Sequence, residues 1–427
     1  MKLQFLGGAG EVGRSAILVN DVLALDFGSK AADPPQYPVG RPEPDAVVAS
    51  HGHLDHVGAI PALLSGDRRP PIHWTPPTYE LAMRLARDTL KLHGVSASGA
   101  SGGSKRRRRF GGTLRCPFTE TDVKRVTQVS KTHGYQEPFE AAGHEVTFFD
   151  AGHIPGSAHV VVDDGDTRLL YTGDFHTHDQ RLVSGTTARP TADVVVCEST
   201  YSDVDHEPRE DVEKRFAESV ETTLWEGGTV VVPAFAIGRT QELLLVCEAY
   251  DIPCYVDGMG KGITEMLRGH PGFVRDADAL RRAKSHARFV TGRDGQRKRI
   301  AEQNTAIITT SGMLSGGPAM TYIPEIRSNP TNKIAMTGYQ VEGTPGRQLL
   351  ETGRAEIDGR VMPVSAQVEQ YDFSAHADRD GLFSFLDSYR DTPALVTHGD
   401  RCGRFASELC DDGFDAAAPE IGAVHEV

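Results

Sequence analysis

The chain has 427 residues, 39% of them hydrophobic, and a formal net charge of −14. That length suffices for two domains or for one large domain with an insertion, and no apolar run approaches the ~20 residues that a membrane span needs. The acidic balance argues against a polyanionic partner unless basic groups are concentrated locally, as they are in Lys105-Arg106-Arg107-Arg108-Arg109.

The first residues, Met1–Leu6, are too short an apolar stretch for a secretory signal and lack a cleavage-site pattern, so a cytoplasmic protein is expected. The six cysteines form no CxxC pair and read as reduced, packed thiols. The acidic excess also suits a salty cytosol; full folding and activity in dilute buffer would count against that origin.

In chain order, Lys2–Leu6, Ala16–Asn20, Val22–Phe27 and Ala46–Ser50 read as strands, with Asn20-Asp21 as a hairpin turn between two of them. Val57–Leu64 reads as the start of a helix. Residues Ser96–Gly112, rich in Gly and Ser around the basic run, read as a mobile loop. Strands resume at Glu145–Asp150, His159–Asp163, Arg168–Tyr171 and Asp193–Glu198. Pro208–Trp225 then places Val212, Phe216, Val220 and Leu224 at helical spacing. Strand Thr229–Phe235, helix Arg239–Ala249 and strands Ile252–Asp257, Ala306–Thr310 and Lys333–Tyr339 continue a βαβ alternation, which predicts a parallel sheet. From about Val361 the chain returns to strand, and Ala394–Thr397 is a further strand ending on His398.

Gly8-Ala9-Gly10-Glu11-Val12-Gly13 fits GxGxxG and follows a strand, with Asp26 about where a ribose-binding acid falls. A dinucleotide fingerprint needs a helix directly after the glycines. Here Ser15–Leu25 reads as two strands, so a glycine turn between strands is the favoured reading.

His51-Gly52-His53-Leu54-Asp55-His56 carries the chemistry. Three imidazoles and a carboxylate this close are good ligands for zinc-type ions and are hard to explain without one. The spacing aims His51 and His53 at one ion and Asp55 and His56 at a neighbour. Two adjacent cations need further ligands, including a bridging acid. His153, Asp174 and His398 are candidates at strand ends. His133, His144, His178, His206, His270 and His286 read as ordinary solvated or hydrogen-bonded side chains, and His159 and His176 as packing or support for the ligands.

These segments resemble the metallo-β-lactamase fold, and most closely its β-CASP branch of nucleases with an inserted domain. Cys197-Glu198-Ser199-Thr200-Tyr201 resembles motif A of that branch, Phe373-Ser374-Ala375-His376-Ala377-Asp378 motif B, and His398 motif C. Histidine at motif C is typical of the RNA-processing members. Pro233–Arg239, Thr310–Leu314 and Gly338–Thr344 are similar to the endonuclease of the cleavage and polyadenylation machinery and its archaeal relatives. The likeness covers nearly the whole chain. With the first strand at Lys2, the chain looks like the archaeal form without KH domains.

The resemblance implies an α/β protein: an αββα sandwich with an inserted parallel-sheet β-CASP domain. The expected division is 1–200 for the first part of the sandwich, 201–360 for the insert and 361–427 for its completion. It implies two Zn²⁺ per chain, with His51, His53 and His153 on one, Asp55, His56 and His398 on the other, Asp174 bridging, and Asp26 orienting the ligands. It also implies a ribonuclease of RNA processing or decay, acting as an endonuclease, a 5′-3′ exonuclease or both.

In that reading a hydroxide held between the metals attacks phosphorus, and Asp55, His376 and Glu198 serve the reaction. His376 protonates the leaving oxygen, with Glu198 fixing its ring. Arg239 and the Ser311-Gly312 turn are the expected phosphate contacts. RNA is the expected partner; membranes are not. Relatives of this kind often dimerise or join RNA-processing complexes. A small-ester hydrolase on the same core is disfavoured by the insert, a silent scaffold subunit by the full ligand set, and a DNA nuclease by His398.

Overall fold

The computed structural model describes residues 1–32, 34–93, 116–293, 295–341, 343–357 and 359–427. The expected loop 96–112, with the basic run Lys105–Arg109, lies outside them. Two compact units share the chain: Met1–Thr177, Thr186–Val204 and His376–Val427 form one, and His178–Gly185 with Asp205–Ala375 the other.

The first unit holds two seven-stranded sheets. One runs, in spatial order, Val424–Glu426, Lys2–Gly7, Ala16–Val19, Leu23–Leu25, Ala46–Val48, Ile72–Trp74, Ser130–Thr132. The other runs Ala416–Ala417, Ala394–Thr397, Val194–Glu198, Arg168–Tyr171, Ala158–Asp163, His144–Asp150, Phe139–Ala141.

Successive strand residues face opposite sides of a sheet, and here both sides are apolar. Leu3, Phe5, Ile17, Val19 and Val48 of the first sheet share one core with Val160, Val162, Val194 and Val196 of the second. The alternate residues Leu6, Leu18 and Val47 pack on the other side with Met83 and Ala86 of helix Pro76–His93 and Val126 of helix Glu120–Val129. Val161, Val195 and Cys197 pack with Phe385 of helix Arg379–Leu386 and Phe405 of helix Cys402–Asp411. The layers are therefore helix, sheet, sheet, helix. Helices Pro76–His93 and Glu120–Val129 were not read from the sequence. The expected helix start at Val57 is a single turn, Leu54–Val57, followed by a 3₁₀ turn, Ile60–Leu64.

The N-terminal glycines lead into strand Ala16–Val19 and not into a helix, so the dinucleotide reading fails. Asn20 and Asp21 both have positive φ, 48° and 63°, as the hairpin turn between right-twisted strands requires.

The second unit is built on a six-stranded sheet whose registered pairs are all parallel. Its order is Arg288–Phe289, Cys254–Asp257, Ala306–Thr309, Val230–Pro233, Lys333–Met336, Gln367–Gln370. Val230, Val231 and Val232 are fully buried, as expected of a parallel strand covered on both faces. Gln367–Gln370 pairs with Lys333–Met336, so the chain stays with this unit through Ala375, beyond the expected 360. Its polar composition is that of a half-exposed edge strand, which gives no apolar signal to place it.

Candidate metal centre

The loop that leaves strand Ala46–Val48 is held by one carboxylate. Asp26, fully buried with φ 57°, accepts from Ser50 N–H at 2.7 Å, Ser50 Oγ at 2.7 Å, Tyr171 Oη at 2.8 Å and His56 Nδ1 at 2.7 Å. An ionised carboxylate only accepts, so four donors suit it. Gly28 permits the close packing beside it: a Cβ there would sit 1.7 Å from the Asp55 carbonyl oxygen.

With His56 Nδ1 on Asp26, its Nε2 lies 3.3 Å from Asp174 Oδ1 and is the nitrogen left to ligate a cation that takes the place of its proton. His51 Nδ1 lies 3.2 Å from Ser50 Oγ, and its Nε2 lies 3.5 Å from Asp174 Oδ2. His153 Nε2 lies 3.0 Å from His53 Nδ1 and 3.9 Å from Asp174 Oδ2. His398, at the end of strand Ala394–Thr397 with φ 49°, places Nδ1 3.2 Å from Asp174 Oδ1 and Nε2 3.5 Å from Asp55 Oδ2. Its backbone N–H donates to Gly8 O at 2.6 Å, so the glycine turn braces this histidine.

The ligand-type atoms of His51, His53, His153 and Asp174 all fall within 4.8 Å of one another, as do those of His51, Asp55 and His56, and those of His56, Asp174 and His398. The other six expected ligands thus gather around Asp174.

The donor set fits divalent cations. Nε2 of His51, His56 and His398 and Oδ1 of Asp174 are buried without a hydrogen-bond partner. Each such orphan costs about 1–3 kcal/mol, and four face one small volume. Burial lowers His51 well below its ordinary value and His53 to about 4, keeping both in the neutral, ligating form. Burial opposes charge on His56 too, but the Asp174 and Asp26 carboxylates outweigh it and raise the group well above the ordinary histidine value. That is the signature of a place where positive charge is wanted, and a cation supplies it.

Beside the cluster, His376 Nδ1 lies 3.1 Å from both oxygens of Glu198. Glu198 is itself fixed by Phe175 N–H at 2.8 Å and Thr200 N–H at 3.3 Å. Burial works against charge on His376, yet Glu198, Asp174 and Asp55 raise it to about 9. The rings of His153 and His376 are 4.5 Å apart.

Ser50, Tyr171 and Thr200 were missed from the sequence, although each touches the ligands or Asp26; Thr200 Oγ1 lies 3.1 Å from His398 Nδ1. Their signal was position alone: each sits within a few residues of a ligand or motif residue.

Arg239, Ser311 and Gly312 belong to the second unit. Arg239 opens helix Arg239–Ala249 and is half-buried. Ser311 N–H donates to Gly316 O at 3.2 Å, and Ser311 Oγ accepts from Ser315 N–H at 3.0 Å. Both of these Ser311 groups bond within their own turn. Gly312 O accepts from Gln340 Nε2 at 3.1 Å. His144 and His286 are hydrogen-bonded within the protein, to Ala142 O at 2.9 Å and Ile252 O at 2.7 Å. His206 pairs with Asp372 at 2.5 Å.

A four-layer fold with seven clustered histidine and aspartate ligands defines a metal-dependent hydrolase of the metallo-β-lactamase type. Residues 10–202 match the metallo-β-lactamase superfamily, 240–349 the Beta-Casp domain and 361–419 the Zn-dependent metallo-hydrolase RNA specificity domain. The chain belongs to the β-CASP, RNA-specific branch of the metallo-β-lactamase superfamily.

It is 30% identical to a "Probable RNase MJ4" of Methanocaldococcus jannaschii, over 99% of each chain. It is 33% identical to an "RNase aCSPSF2" of Saccharolobus solfataricus, over 93% of this chain and 79% of the relative. It is 32% identical to a "Transcription termination factor FttA" of Pyrococcus abyssi, over 94% of this chain and 67% of the relative. A crystal structure of a protein of unknown function from Enterococcus faecalis shares the fold, with a TM-score of 0.60 at 12% identity over 99% of each chain. Among the described residues, no helix is long and apolar enough to cross a membrane.

Proposed function

We propose that this protein is a zinc-dependent ribonuclease of RNA processing or decay. His51, His53 and His153 would hold one Zn²⁺, Asp55, His56 and His398 a second, and Asp174 would lie between them. The observation that carries this reading is the gathering of the partnerless Nε2 atoms of His51, His56 and His398 around the Asp174 and Asp55 carboxylates. Bound divalent cations supply an acidified water and neutralise charge on the phosphate oxygens.

The chain's own residues do the rest. Asp26 holds His56 in the tautomer that presents Nε2 to a cation. His376, with Nδ1–H on Glu198, carries a proton on Nε2 for the departing ribose oxygen. Arg239 contacts a neighbouring phosphate through its guanidinium. The names of the relatives MJ4 and aCSPSF2 support RNA as substrate.

The test is incubation of zinc-loaded protein with RNAs ending in 5′-hydroxyl, 5′-monophosphate or 5′-triphosphate, and with a circular RNA. Linear products from the circle identify internal cleavage, and 5′-monophosphate-dependent mononucleotide release identifies 5′-3′ trimming. Intact RNA in every case, with zinc bound, would refute the proposal.

A further inference from the structure

The second unit carries a basic surface outside the matched motifs. Residues 288–299 contain Arg288, Arg293, Arg297, Lys298 and Arg299 against one acid, in a chain of net charge −14. Several cations on the neighbouring helix are paired with acids: Arg281 with Asp278 at 3.0 Å, Arg282 with Glu248 at 3.0 Å, Lys284 with Glu265 at 2.9 Å. Arg293, Lys298 and Arg299 are exposed. Lys298 has only a loose pair with Glu325 at 3.8 Å, and Arg293 and Arg299 make no ion pair among the described residues.

The segment that presents them is built. Gln296 Oε1 accepts from Thr291 N–H at 3.1 Å, Thr291 Oγ1 at 2.9 Å and Gly292 N–H at 3.0 Å, closing the turn that carries Arg293. Arg297 is tied down by buried Asp257 at 2.6 Å, and Lys261 Nζ donates to Val290 O. Arg297 is thus spent on structure, while Arg293, Lys298 and Arg299 are held out to solvent.

Position adds the second argument. The segment follows strand Arg288–Phe289, the outermost strand of the parallel sheet. It therefore lies at the carboxyl end of the strands, the end at which open α/β sheets bind ligands. Arg239 follows strand Val230–Pro233 at the same end, three strands inward. Crossing all six strands at ~4.8 Å each covers about 24 Å, a rim long enough for several nucleotides.

We propose that Arg293, Lys298 and Arg299 form a distal phosphate-gripping patch for RNA lying along the carboxyl-end rim of the inserted sheet. This rests on the ribonuclease reading and deepens it, by naming cations of the second unit that hold RNA phosphates.

The test is the triple variant Arg293→Ser, Lys298→Ser, Arg299→Ser, assayed with an unstructured RNA of about 24 nucleotides. Affinity should fall roughly 10-fold or more at 0.1 M KCl, and the slope of log K against log[KCl] should shrink by about 2, for three lost phosphate contacts. Zinc content should not change. Arg293→Lys with Arg299→Lys should keep the wild-type salt slope, which a purely structural role for the arginine side chains would not. An unchanged salt slope in the triple variant overturns the patch while leaving the ribonuclease reading in place. Failure of the wild type to bind RNA overturns both.

Discussion

Asp26→Asn is the most revealing small change in this protein, because it alters protonation and almost nothing else. Asp26 Oδ2 accepts from Ser50 Oγ, Tyr171 Oη and His56 Nδ1, while Oδ1 accepts from Ser50 N–H. An amide puts two hydrogens on one side of that group. If they face Ser50 N–H, two donors oppose each other; if they face the other three groups, both hydroxyls must turn and His56 must accept at Nδ1. Accepting at Nδ1 moves the imidazole proton to Nε2, the atom 3.3 Å from Asp174 that a cation would use. Loss of a ligand's supporting partner typically costs 10- to 100-fold in metal affinity, or about 1.4–2.7 kcal/mol. The apo-fold should lose about 1–3 kcal/mol more for the donor left unsatisfied.

Zinc affinity measured by chelator competition, and apo-stability by urea unfolding, read the two effects separately. Asp26→Asn with wild-type zinc affinity would show that this carboxylate neither sets the His56 tautomer nor orients the ligands.

His376→Ala should retain its zinc by elemental analysis and lose roughly 10²-fold or more in phosphodiester cleavage; near-wild-type turnover would remove His376 from the reaction. Asp174→Ala should lose metal, since its two oxygens face histidines of both expected ligand sets; full zinc occupancy would refute that role. His159 donates Nδ1–H to Thr172 O at 2.8 Å in a fully buried setting that lowers it to about 4. A depressed folded-state value means that its contribution is complete above the unfolded value of about 6.5 and is lost as pH falls toward 4, roughly 3 kcal/mol over that window. His159→Gln should flatten the fall in stability between pH 6.5 and 4, and parallel wild-type and variant curves would contradict this account.

Much of the site was legible because it is local. His51 to His56 is one strand exit, and the strand before it, Ala46–Val48, announces itself by its apolar run. Strands Arg168–Tyr171 and Ala394–Thr397 were placed to the residue, and each leads into a ligand segment. The strand ends were read too long at Ala46–Ser50 and Lys333–Tyr339. There the backbone leaves the ladder for other duties: Ser50 N–H goes to the Asp26 side chain, not to a neighbouring strand. Gln367–Gln370 was missed as part of the inserted sheet because an edge strand needs no apolar face. The patch at Arg293, Lys298 and Arg299 escaped notice because Lys105–Arg109 is the denser run. Only ion pairing distinguishes spent cations from presented ones, and pairing is a property of the folded chain.

The sequence alone determined the fold class and the chemical type of the centre: alternating apolar strands specify faces to be buried, and closely spaced imidazoles with a carboxylate specify a metal. Tertiary structure decided what the centre can do. It brought His153, Asp174 and His398 to the loop His51–His56, set the His56 tautomer through Asp26, and backed His376 with Glu198. The Asp26–His56 and Glu198–His376 pairs join residues 30 and 178 positions apart in the chain. Periodicity and spacing register only near neighbours, whereas tautomer, charge and ligand geometry depend on groups that meet only once the two sheets have packed.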